Sequence, residues 1–167
     1  KNADDVAGRL NEALAAARNT AKIMEHYEAL DAEDRRAYYS EMLKAVLEAN
    51  PDFIGVSSCW EPNALDGFDR RYAGKPESDA SGRFIPYWHR ASGTVEYEAL
   101  VDYDVEGAGD WYLLPIRSGK EMVMEPYTYS IAGKEVLMTS LVVPIMKDGR
   151  AVGIVGVDMS LSTIQAQ

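Results

Sequence analysis

Val136-Leu137-Met138-Thr139-Ser140-Leu141-Val142-Val143-Pro144-Ile145-Met146, then Lys147-Asp148-Gly149-Arg150, then Ala151-Val152-Gly153-Ile154-Val155-Gly156-Val157-Asp158-Met159 is the stretch that decides the fold. Two runs rich in β-branched residues flank Asp148-Gly149, a dipeptide that two-residue hairpin loops favour because both central positions take positive φ. The reading is an antiparallel hairpin with arms at 136–146 and 151–159. Working outward, Ala132-Gly133 joins a further strand, 122–130, to the first arm. Earlier strand candidates lie at 53–60, 84–90 and 94–100, the last two joined by Ser92-Gly93.

The first fifty residues follow another period. Val6, Leu10, Leu14, Ala17, Ala21 and Met24 recur at three- and four-residue steps, one face of a long amphipathic helix with Asp4 and Asp5 in its first turn. The alanine-rich face suits close contact with another helix and suggests a homodimer. A second helix is expected from Asp31, with Asp34 as an acidic variant of the capping box, to Asn50-Pro51. Residues 61–81 read as a long loop with short helical turns. Residues 102–110 form an acidic loop, and 111–116 a short helix or extended segment. Helices first and antiparallel strands later make an α+β layout with helices on one face of a sheet. Residues 1–50 are read as a helical region and 51–167 as a lobe built on the sheet, one structural domain in all.

The 167 residues suit a single domain, and 47% of them are apolar, enough for a core. A net charge of −10 speaks against nucleic acid, whose phosphates need clustered Lys and Arg. Cys59 is the only cysteine, so no disulfide can form within the chain. No run of about 18 or more apolar residues is present. The chain opens at Lys1, without Met and inside a helical pattern, as a piece of something longer would.

Gly109-Asp110-Trp111-Tyr112, Glu125-Pro126-Tyr127 and the run 152–161, in that order, resemble the membrane-distal lobe of double Cache (PAS-like, PDC) sensor domains. These occur in methyl-accepting chemotaxis proteins, sensor histidine kinases and diguanylate cyclases. The resemblance implies a PAS-like antiparallel sheet of five to six strands, with a long N-terminal helix and covering helices, and a ligand held between sheet and cover. It implies a non-enzymatic receptor domain, periplasmic or extracellular, attached through transmembrane helices of the inner membrane to a cytoplasmic signalling domain. A second, membrane-proximal lobe, which the family carries, is not within these residues. In the amino-acid-binding members an Arg precedes the Trp-Tyr pair by two residues and holds the ligand carboxylate. That pair, a later Tyr and an Asp near the last strand hold the ammonium. Trp111, Tyr112, Tyr127 and Asp158 stand at the matching places, but Gly109 stands where the Arg would be. Either Arg90 or Arg117 replaces it, or the ligand has no carboxylate at that end.

The residues themselves allow two readings each. Asp158 anchors a ligand ammonium, or it caps the segment from Ser160 or faces solvent at the strand end. Trp111 and Tyr127 form an aromatic wall, worth roughly 0.5–2 kcal/mol to a cation over a ring, or they are core. Tyr112 and Tyr129 offer hydroxyls or point to solvent. Alternation pairs Tyr127 with Tyr129 on one face, and in 84–90 it pairs Tyr87 with His89 and Trp88 with Arg90. Arg90 meets a carboxylate or makes a surface salt bridge. The candidate ligand set is Trp111, Tyr112, Tyr127, Tyr129, Asp158, Tyr87 and Arg90. Asp102-x-Asp104-x-Glu106-Gly107 resembles half an EF-hand loop, but its twelfth position is Leu113, so no metal is assigned. No nucleophile elbow, phosphate-binding glycine loop or zinc spacing is present, so neither catalysis nor a cofactor is expected. The expected ligand is a small amine-bearing molecule, with a small carboxylate as the alternative.

Overall fold

The computed structural model describes residues 2–162. Lys1 and 163–167, the last five residues of the expected lobe, lie outside it. The chain runs α1 (Asn2–Met24), α2 (Arg35–Ala49), β1 (Gly55–Trp60), α3 (Asp69–Tyr72), β2 (Pro86–His89), β3 (Glu96–Ala99), α4 (Asp110–Ser118), β4 (Met122–Val123), β5 (Tyr127–Ile131), β6 (Lys134–Lys147) and β7 (Arg150–Ser160). The strands make one antiparallel sheet in the order β3-β2-β1-β7-β6-β4, with β5 also on β6.

The hairpin read from sequence is β6–β7, the longest ladder of the sheet, turning at Asp148-Gly149 with φ of 52° and 77°. One irregularity interrupts it: Ile145 pairs with Gly153 but Met146 with Ala151, so Val152 has no partner on β6. The carbonyl of Val152 instead accepts the N–H of Glu61 at 2.9 Å.

The expected strand 122–130 is two strands, which brings the sheet to seven rather than five or six. The break falls at Met124–Pro126, where proline has no N–H for a ladder. Met124 stays tied to β6: its N–H donates to the Ser140 carbonyl at 2.9 Å, and its carbonyl accepts the Thr139 hydroxyl at 2.6 Å.

The two sheet faces bury different partners. Val56, Trp60, Leu141, Ile145, Val155, Val157 and Met159 pack under α1 and α2 with Ala13, Ala17, Ala21, Leu43 and Leu47. Cys59, Ile85, Tyr87, Tyr129, Met138, Val142 and Ile154 pack under α4 and the loop before it, with Leu100, Tyr103, Trp111 and Tyr112. The alanine stripe of α1 is therefore not a free surface. Its small side chains let the helix lie close on β6 and β7 of its own chain, which removes the motive for a homodimer along that face. The capping box at Asp31 and Asp34 does not form either. A 3-10 turn, Ala32–Asp34, leads into α2, and neither side chain makes a capping hydrogen bond. At the other end Asn50 closes α2, its amide donating to the Val46 carbonyl at 2.8 Å.

Candidate ligand-binding site

Asp158 lies on β7 between Val157 and Met159, which face α1, so strand alternation turns its carboxylate to the opposite side. There it is 6% exposed. Its cross-strand neighbours are Gly55 on β1 and Ser140 on β6. Ser140 donates its hydroxyl to Oδ1 at 2.5 Å and Tyr87 donates to Oδ2 at 2.7 Å. Gly55 makes the second bond possible. A Cβ there would stand 2.4 Å from the Tyr87 ring, so only glycine lets that ring cross β1 to the carboxylate. Tyr127 and Ser140 share a hydrogen bond of 2.6 Å. Because the single Ser140 proton goes to Asp158, Tyr127 is the donor, and the hydroxyls form a relay from Tyr127 through Ser140 to Asp158.

The carboxylate faces a small cavity. Ser57, Leu100, Val142 and Gly156 form its floor and sides, and Trp111, Tyr127 and Tyr129 its walls. It offers about 10 Å³ to the centre of a water-sized sphere, room for one water molecule. The rings stack edge to face: Tyr129 meets Tyr87 at 5.7 Å and Trp111 at 6.0 Å between centroids. The Tyr129 hydroxyl accepts the Val101 N–H at 2.8 Å, which fastens the acidic loop to the cavity wall. Trp111 is held by packing only. Its indole Nε1–H is buried without a hydrogen-bond acceptor.

Among the described residues, Asp158 is the one formally charged side chain on the cavity wall. Burial pushes its carboxyl from 3.8 up to about 6, against the downward pull of the Ser140 and Tyr87 hydrogen bonds. Burial and the neighbouring Asp158 charge likewise push the Tyr87 phenol well up, so it stays a neutral donor.

The structure brings together five of the seven residues expected at the site: Asp158, Tyr87, Trp111, Tyr127 and Tyr129. Two fall elsewhere. Arg90 does share a face with Trp88, as alternation requires, but that is the helix face, where Trp88 donates to Ser40 of α2. The Arg90 guanidinium donates to the Leu47 carbonyl at 2.5 Å. Tyr112 follows Trp111 on α4 and so points about 100° away around the helix. Its hydroxyl donates to Glu61 and accepts from Arg83 at 2.7 Å, in a polar cluster outside the cavity. Arg117 is also remote, paired at the surface with Glu106 at 2.7 Å. Gly109 has a local reason: a Cβ there would stand 2.2 Å from the Asp102 carbonyl oxygen, so this loop admits no arginine at that position.

Ser140, Ser57 and Gly55 were not singled out in the sequence. The available signal was the hairpin, since a residue opposite Asp158 on β6 must share its face. Cys59 is buried, with its thiol pushed up by burial, and is inert packing. His89 is buried beside Tyr87. Ala91 N–H donates to its Nδ1 at 3.3 Å, so Nε2 carries the proton and meets Glu98 at 2.8 Å.

The sequence model of the methyl-accepting chemotaxis protein-like, first PDC sensor domain matches residues 39–166. The chain is 34% identical over 149 residues to methyl-accepting chemotaxis protein TlpQ of Pseudomonas aeruginosa, covering 82% of this chain and 21% of that protein. Among solved structures it resembles the extracellular domain of mmHK1S-Z3, described as a histidine kinase, at 38% identity and a TM-score of 0.84. That match covers 94% of this chain and 54% of the other. It resembles Methyl-accepting Chemotaxis protein X at 33% identity and a TM-score of 0.80, over 96% and 59% of the two chains. The chain thus spans a fifth of the chemoreceptor and somewhat over half of the solved sensor domains. With this fold and these relatives, the chain belongs to the methyl-accepting chemotaxis protein-like family of first PDC sensor domains.

Proposed function

We propose that this domain senses a small amine-bearing molecule outside the cytoplasm, on the periplasmic or outer side of a bacterial inner membrane, as part of a chemoreceptor or related signalling receptor. One observation carries the ligand class: the cavity wall holds a single formal charge, the buried carboxylate of Asp158, and no cation among the described residues. A ligand ammonium is the group that compensates it. The two hydroxyls now on Asp158 orient the carboxylate, and the faces of Trp111, Tyr127 and Tyr129 surround the space where the cation would stand. The acid alternative lacks this support, since Arg90 serves α2 and Arg117 serves Glu106.

In this reading residues 1–50 and 51–167 work as one body. α1 lies on β6 and β7, the strands that bear Ser140 and Asp158, so a shift of those strands on binding reaches α1 through direct packing. From α1 the signal would pass to the transmembrane and cytoplasmic parts of the receptor. Isothermal calorimetry with primary amines, amino acids and short organic acids tests the ligand class. Amines bind the native chain and lose binding in Asp158→Asn. Acids that bind equally well to both would sink the reading.

A further inference from the structure

The cavity at Asp158 holds about one water, so any amine that reaches the carboxylate must displace a wall. Two side chains, Trp111 and Tyr127, also line a second space. On their other side lies an open groove of about 270 Å³, bordered by Leu114 of α4 and by Met122, Val123 and Met124 of the bent β4–β5 segment. Tyr127 is tethered to Ser140. Trp111 is not tethered: its buried Nε1–H has no acceptor and its ring meets Tyr129 and Tyr112 through edge and tilted contacts. A buried donor without an acceptor carries a desolvation penalty in the closed arrangement, and a swing of the ring toward solvent or ligand relieves it. Of these two walls, Trp111 is therefore the less firmly held.

We propose that Trp111 is a gate between two halves of one site, with the ligand's ammonium on Asp158 and its methylene body in the methionine-lined groove. The inference rests on the amine reading above and narrows it to an alkylamine. The charge around the groove says what the far end is. Among the described residues, Asp110 and Glu125 line it and no Lys or Arg does. A ligand with a carboxylate at its far end is disfavoured there, and a neutral or second cationic end is accepted. Methionine suits such a groove, because its flexible thioether adapts to methylene chains of different length.

Calorimetry on this chain with ethylamine, butylamine and hexylamine, then hexamethylenediamine and aminohexanoate, tests the gate and groove. Affinity should rise about threefold to fourfold per added methylene that the groove covers. The doubly substituted Leu114→Ser, Met124→Ser chain should bind ethylamine as before while the gain with length flattens. Aminohexanoate should bind more weakly than hexylamine. In stopped flow, hexylamine should change the tryptophan emission of the native chain and not that of Trp111→Phe, which keeps Trp60 and Trp88. Affinity independent of length, or a length dependence that survives the double substitution, overturns the groove. An unchanged emission response in Trp111→Phe overturns the gate. Amine binding that is lost in Asp158→Asn but flat with length leaves the amine reading standing without the groove. No amine binding at all, or binding that survives Asp158→Asn, overturns both.

Discussion

The two faces of one sheet do opposite work. Under α1 and α2 most contacts are apolar side chain on apolar side chain, with Ala13, Ala17, Ala21, Leu43 and Leu47 closing over valines and leucines. The hydrogen bonds of Trp88 to Ser40 and Arg90 to Leu47 tie α2 down beside them. Under α4 the same strands present Ser57, Ser140, Tyr87, Tyr129 and Asp158, and a cavity remains. β7 shows the contrast residue by residue: Val155, Val157 and Met159 go to the helices, Ile154, Gly156 and Asp158 to the other side. The helix face holds the domain together. The site face keeps an unneutralised charge in the dry, at a cost in stability that a bound cation would remove.

The largest test of this contrast is on the helix face. Leu43→Ala should cost about 2–5 kcal/mol in urea unfolding, because the cavity it leaves cannot collapse between α2 and the sheet. A loss well under that range would mean the helix layer is loosely packed. Asp158→Asn should act in the other direction. The carboxyl moves from 3.8 to about 6 on folding, so it binds its proton more tightly when folded. Its contribution to stability is present below about pH 4 and is lost as pH rises through about 6. At pH 8 the neutral amide should therefore raise stability by up to about 3 kcal/mol. Equal or lower stability of Asp158→Asn at pH 8 would show that the charge is well compensated without a ligand.

Tyr87→Phe sharpens the same point with a smaller change. It leaves Oδ2 without its donor and should cost about 1–3 kcal/mol at pH 8, less at pH 5, where Asp158 is protonated. On the binding side, amine affinity should be level above about pH 7 and fall about tenfold per unit below about pH 6, as Asp158 takes up a proton. Calorimetry across that interval measures it; a flat profile would separate the amine from the carboxylate. Smallest of all, Arg18→Ala breaks an exposed ion pair with Glu121 and should leave the urea midpoint unchanged.

Much of this was legible beforehand, for reasons that differ by element. The β6–β7 hairpin announced itself through Asp148-Gly149, and α1 through its apolar period, because both signals are local. Tyr127 and Tyr129 share a face because alternation along one strand leaves no choice. The misplacements came from relations between elements. Alternation put Arg90 beside Trp88 but could not say which layer that face would meet. The alanine stripe reads alike whether a helix packs on its own sheet or on a second copy. The family resemblance implied that Trp111 and Tyr112 act together, whereas the helix they lie on sends neighbours in different directions. The break in 122–130 follows from Pro126, whose effect on the ladder was overlooked.

Val152 gives the β6–β7 ladder a consequence reaching beyond shape. Counting back from the Asp148-Gly149 turn without an extra residue, Asp158 would sit across from Thr139. The added residue moves it to Ser140. Deleting Val152 would leave Asp158 opposite Ser140. Drawing it into the ladder opposite Ile145 would instead swap the inside and outside of everything from Gly153 onward, because side chains reverse sides with every step along a strand. The carboxylate would then be driven into the alanine layer, and valines would fill the chamber. One supernumerary residue, pinned by the amide of Glu61, thus acts as the parity bit of the domain.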